Sequence, residues 1–150
     1  MSDAQTCPIT GLRTILFATD GSTYSEAAMR EAVSLSKTCN TKLYILTVSE
    51  VNPEYEALAP LLVEKADEDA RSFLDDAQKC AEKENVSCET LIHRGEDPAH
   101  FIIEEAARIK ADMIVMGKHG QRKGLTKLLM GSVTAKVLSH AHCKVLVVPA

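Results

Sequence analysis

Four glycines or small polar residues, one aspartate and a cluster of cations stand where this chain could hold an anion. Gly117 and Gly120 follow the short apolar run at 113–116, and Gly131, Ser132 and Val133 open a helical stretch that runs to residue 141. Glycine lets backbone N–H groups come close to a phosphate chain, and the first N–H groups of a helix sit at the positive end of its dipole. Ser132 adds a hydroxyl donor. Lys118, Arg122, Lys123 and Lys127 surround these positions with positive charge. Residues 113–150 carry six cations and no Asp or Glu, whereas residues 1–112 carry 11 cations and 21 acids, so +6 and −10 sum to the net −4. Such asymmetry marks a place for an anionic ligand. Gly124 is read as a turn residue only.

Asp20 calls for different chemistry. It ends the first apolar run in the turn Asp20-Gly21-Ser22. A carboxylate would repel a phosphate, so its task is to accept hydrogen bonds from a sugar hydroxyl or a base amine. The plainer alternative is that the glycines only turn the chain and that Ser132 only starts a helix. Agreement of position, charge and helix start favours the ligand. Neither G-x-x-x-x-G-K-[ST] nor a G-x-G-x-x-G after the first strand is present.

Apolar runs and helical patterns alternate along the chain. Residues 14–19, 43–48 and 113–116 are continuous apolar runs, suited to strands buried on both faces. Residues 86–93 alternate more and predict a strand nearer an edge; residues 144–148 predict a fifth strand. Between them lie helical patterns. Thr23 and Glu26 stand at capping-box spacing before a helix that ends near residue 40. Residues 61–84 form the longest pattern, with Leu62, Ala66, Ala70, Phe73, Leu74 and Ala77 predicted to face inward. Asp97-Pro98 reads as an N-cap and first-turn proline before a helix to residue 110, with Phe101, Ile102, Ala106 and Ile109 facing in. Residues 49–59 read as a polar loop.

Strand-helix alternation makes the strands parallel and places helices on both faces of an open α/β sheet. Ligands bind such sheets beyond the carboxyl ends of the strands. Asp20, Val48 and Gly117 end the first, second and fourth strands, so three segments distant in sequence meet on one rim.

The totals set bounds. At 150 residues, 45% hydrophobic and 25% charged, the chain has the make-up of an ordinary globular protein. The expected organisation is a polar lead over 1–12 and one domain over 13–150. No apolar run approaches the roughly 20 residues of a membrane span, and residues 1–8 have no secretory pattern. Five cysteines, odd in number and never in a CxxC pair, predict reduced thiols in a cytoplasm. Mild acidity and the absence of an aromatic platform argue against nucleic acid.

The spacing Gly117-x2-Gly120, then Gly131-Ser132, a helix and a Val-Leu-Val-Val strand resembles the universal stress protein family. So does the opening Ile15-Leu-Phe-Ala-Thr-Asp20-Gly-Ser. The resemblance covers residues 12–149. It implies a Rossmann-like five-stranded parallel sheet of order 3-2-1-4-5, a homodimer and, in the branch that keeps the glycines, ATP binding. Carried over by motif, Asp20 would meet the ribose or base, and Val48 would meet adenine through its backbone. Gly117, Gly120, Gly131, Ser132 and Val133 would hold the phosphates. Residues 121–130 number ten, one more than the family's usual spacer between these glycines. The homodimer would use residues 144–148, an apolar strand otherwise left as an edge.

Other residues lead less far. His140-x-His142-Cys143 has ligand types, but helix-end residues two apart point to different sides, so no metal site is expected. His119 reads as a bystander of the glycine loop, and His93 and Arg94 as a solvated loop. Cys80 and Cys88 read as two internal thiols. No nucleophile, base and orienter set is visible. Asp20 with the phosphates could hold Mg²⁺. The leading reading is a cytoplasmic, dimeric stress-response sensor that binds ATP, with or without Mg²⁺, or ADP or AMP, and signals to an unknown protein partner. The alternatives are a scaffold that binds no nucleotide and a slow ATPase or phosphotransferase.

Overall fold

The computed structural model describes residues 6–21, 25–50, 53–118 and 130–150. Its elements are β1 (Thr14–Thr19), α1 (Glu26–Cys39), β2 (Lys42–Glu50), α2 (Pro53–Leu58), α3 (Pro60–Lys83), β3 (Cys88–Gly95), α4 (Pro98–Arg108), β4 (Met113–Gly117), α5 (Ser132–His140) and β5 (Lys144–Val148). The strands form one five-stranded sheet in the order β3-β2-β1-β4-β5, all parallel. The order implied by the resemblance is the order observed.

The apolar runs become the centre of the sheet because both of their faces are covered. Along β1, Ile15 and Phe17 point to a core shared with Ala28, Ala32 and Val33 of α1 and Leu74, Ala77 and Ala81 of α3. Leu16 and Ala18 point to the opposite core, with Ala99, Ile102 and Ala106 of α4 and Val137 of α5. Ile15, Leu16 and Phe17 are fully buried, and each such side chain contributes on the order of 1.5–3 kcal/mol relative to exposure. Alanines on α1 and α4 let the helices lie close to the sheet. β3 and β5 are the edges, and β3 alternates half-buried and exposed positions as its sequence predicts.

Four expectations are corrected. Residues 53–58 of the expected loop form a short helix, α2. The inward stripe of α3 runs through Val63, Leu74, Ala77 and Ala81, while Leu62 is 56% exposed and Ala66 also faces outward. His93 and Arg94 are part of β3, not of a solvated loop. Cys7 and Cys39 are joined in a disulfide with a Cα separation of 4.6 Å, so the reduced-thiol reading fails for this pair. Cys80, Cys88 and Cys143 are free thiols. The capping-box Thr23 lies outside the described residues; Ser25 is the N-cap of α1. Among the described residues no helix is long and apolar enough to cross a membrane.

Candidate functional site

The carboxyl ends of β1 and β4 are neighbours. Ala18 is in register with Met116, so Asp20 and Lys118 each lie two residues beyond the same rung. The chain then returns to that point. The Gly131 N–H donates to the Lys118 carbonyl at 2.9 Å, and the Lys118 N–H donates to the Val148 carbonyl at 3.0 Å. The start of α5 is thereby held against the exit of β4, across from the Asp20 turn. Thr134, buried in the first turn of α5, donates its hydroxyl to the Gly117 carbonyl at 2.9 Å. Lys136, two residues further on, pairs with Asp97, the N-cap of α4, and fastens α5 to α4. That contact holds the Asp97 carboxyl below its ordinary range, with Lys136 as the main cause.

The start of α5 is built without a side-chain cap. Gly131 occupies the N-cap position at φ −61° and ψ 150°, the extended conformation in which Ser, Thr or Asp would accept a first-turn N–H. Glycine has nothing with which to accept it. The first N–H groups of a helix lack intrahelical partners, so Ser132 and Val133 present backbone donors at the positive end of the dipole. Ser132 is exposed and Val133 half-buried against the α4–α5 core.

The Asp20 turn is braced by hydroxyls that no sequence motif marks. Thr19 Oγ1 and Ser25 Oγ are 2.7 Å apart and buried. The Gly21 N–H donates to Thr19 Oγ1 at 3.0 Å, and Thr47 Oγ1 donates to the Thr19 carbonyl at 2.9 Å. Gly21 has φ +79°, a backbone conformation that favours glycine, and a Cβ there would come within 3.8 Å of the Phe73 ring. This bracket turns the chain out of β1 and leaves Asp20 exposed on the rim. Thr in a strand and Ser before a helix are common enough to carry no sequence signal of their own.

Val48 lies in β2, in register with His93 of β3, with its side chain on the α4–α5 face. His93 Nε2 is 2.8 Å from Glu105 Oε1, and the Arg108 guanidinium donates to Glu105 Oε2 at 2.8 Å. Glu105 is only 8% exposed. Its carboxyl is held below the ordinary range, chiefly by the Arg108 hydrogen bond and then by His93, against the opposing effect of burial. The His93 ring stacks on Phe101 with centroids 5.3 Å apart. Arg94 points elsewhere, to Asp67 and Glu56 on the α2–α3 side.

Of the residues singled out in the sequence, Asp20, Gly117, Gly131, Ser132 and Val133 come to the rim where β1 and β4 end; Val48 lies near the end of neighbouring β2, which runs on to Glu50 instead of ending at Val48. Gly120 lies outside the described residues, as do His119, Arg122, Lys123, Gly124 and Lys127. The His140–Cys143 run does not gather on one ligand: His140 Nδ1 is 2.9 Å from the Lys136 carbonyl, and Cys143 packs on the α4–α5 core.

An open parallel sheet with this order, a carboxylate turn after β1 and a glycine-capped helix after β4 define a Rossmann-like α/β protein. The chain belongs to the universal stress protein family, whose model matches residues 11–149. It is 37% identical to a universal stress protein of Methanocaldococcus jannaschii over 138 residues, 89% of this chain and 80% of that protein. Universal stress protein UspA from Lactobacillus plantarum superposes with a TM-score of 0.80 at 26% identity, over 91% of this chain and 97% of that one. A universal stress protein solved in complex with cAMP superposes with a TM-score of 0.67 at 27% identity, over 92% and 97%.

Proposed function

We propose that this chain binds an adenine nucleotide, ATP in the first instance, and works as a stress-response regulator in the cytoplasm. The reading rests above all on one juxtaposition: the Asp20 turn and the uncapped start of α5 lie beyond the ends of two adjoining strands, β1 and β4. Asp20 accepts hydrogen bonds from the ribose or base. Val48 meets adenine through its backbone. Gly117 and Gly120 admit the phosphates, and the N–H groups of Ser132 and Val133, with the Ser132 hydroxyl, donate to them. The similarity to a protein that holds cAMP supports an adenine ligand.

Among the described residues β5 has one unpaired edge of half-buried valines and leucine, and we assign it to a homodimer. Nucleotide occupancy then biases a surface read by a protein partner. No catalytic residue is assigned.

Isothermal titration with ATP, ADP, AMP and cAMP, each with and without Mg²⁺, tests the assignment. Saturable binding of ATP at one site per chain supports it. Preference for cAMP would keep the adenine site and overturn ATP as its ligand. Silence with all four would leave a scaffold that acts through protein contacts alone.

A further inference from the structure

We propose that Cys7 and Cys39 form a reversible redox clasp that fastens the segment before β1 to the end of α1. The pairing stands apart from the nucleotide reading. Cys39 is the last residue of α1, at the rim opposite Asp20, and Cys7 lies 32 residues before it. The closed ring therefore contains all of β1, the Asp20 turn and α1. Cys7 and Ile9 pack half-buried on the α1–α3 core, and Leu12 is buried in it. The Asp112 carboxylate accepts the N–H groups of Arg13 and Thr14, both at 3.0 Å, and fixes the chain there. Upstream of that point the disulfide is the covalent tie.

One bridge beside three free thiols is not the framework of a disulfide-built domain. Both bridged cysteines are half-buried, which leaves room for exchange with a small thiol carrier. Two of the remaining thiols are poorer partners. Burial, with Glu82 and Glu89 adding to it, pushes the Cys88 thiol up to about 11, and burial raises Cys143 as well.

Closure proceeds by exchange with a disulfide oxidant, such as an oxidised dithiol. One cysteine thiolate attacks the carrier, the carrier S–S bond breaks, and a mixed disulfide forms. The second thiolate then displaces the carrier sulfur. The protein gives up two protons and two electrons, and the carrier leaves as a dithiol. Reduction by a dithiol runs the same steps backwards.

The test equilibrates the full chain across ratios of reduced to oxidised dithiothreitol, traps thiols with a maleimide and maps them by peptide mass spectrometry. Trypsin cleavage after Arg13, the first basic residue of the chain, is timed in parallel. Cys7 and Cys39 should lose label together, in one two-electron transition, while Cys80, Cys88 and Cys143 stay labelled. Cleavage after Arg13 should be several-fold faster in the reduced chain. Cys7→Ser and Cys39→Ser should each cut at the reduced rate in every buffer. Labelling of Cys7 and Cys39 at all ratios, pairing with another cysteine, or equal cleavage in the oxidised and reduced chain would overturn the clasp.

Discussion

The hydroxyl of Thr134 donates to the carbonyl of Gly117 at 2.9 Å, fastening the first turn of α5 to the last residue of β4. Thr134 is 4% exposed, so this bond has little competition from water. Thr134→Val keeps the shape and removes the donor, leaving the Gly117 carbonyl short of a partner. Urea denaturation should show a loss of about 1–3 kcal/mol, with Thr134→Ser retaining most of the stability. Equal stability of the wild-type and Val proteins would mean that the bond does not hold the helix start.

Gly95 ends β3 with no room for a side chain. A Cβ there would lie 2.1 Å from Phe101 Cε2, and the Phe101 ring is already stacked on His93. Gly95→Ala must displace the ring and should cost about 1–3 kcal/mol. Phe101→Leu in the same chain should recover most of that loss. Thermal denaturation of the two single variants and the double variant checks this, and simple additivity of their effects would refute the contact.

Acid should weaken the fold partly through Glu105. Its folded pKa lies below the ordinary 4.5, mainly because Arg108 and His93 bond its carboxylate. A depressed carboxyl contributes stability that is fully present above pH 4.5 and is lost as pH falls through the folded value. Denaturation curves from pH 6 to pH 3 should therefore show the wild type losing its advantage over Glu105→Gln as pH drops below about 4.5. A gap between the two proteins that stays constant over this range would show that Glu105 is not titrating.

Much of this fold is legible in the sequence because burial on both faces leaves an unbroken apolar run, as at 14–19 and 113–116. The rim is legible because parallel strands all end there. Phase is harder. The alanine-rich stripe of α3 gives little contrast between Ala66, which is exposed, and Ala77, which is buried, so the pattern favours Leu62 for the inward position that Val63 takes. α2 is only six residues long, acidic and bounded by prolines, which imitates a loop. The bond from Thr47 to Thr19 and the pairing of Cys7 with Cys39 join residues 28 and 32 positions apart, and no local pattern marks them. Glu105 sits on a helix face where an acid reads as solvated until His93 arrives from another strand.

If the glycine-capped start of α5 receives the nucleotide phosphates, Gly131→Asp should abolish binding without unfolding the chain. The backbone of Gly131 already has the extended conformation of an N-cap, so the aspartate can cap the helix and keep or raise stability. The same carboxylate would occupy the first-turn donors and repel phosphate. Calorimetric titration with ATP should show saturable binding to the wild type and none to an equally stable Gly131→Asp protein. Equal binding by both proteins, or no binding by the wild type up to millimolar ATP, would show that the start of α5 is not the phosphate site.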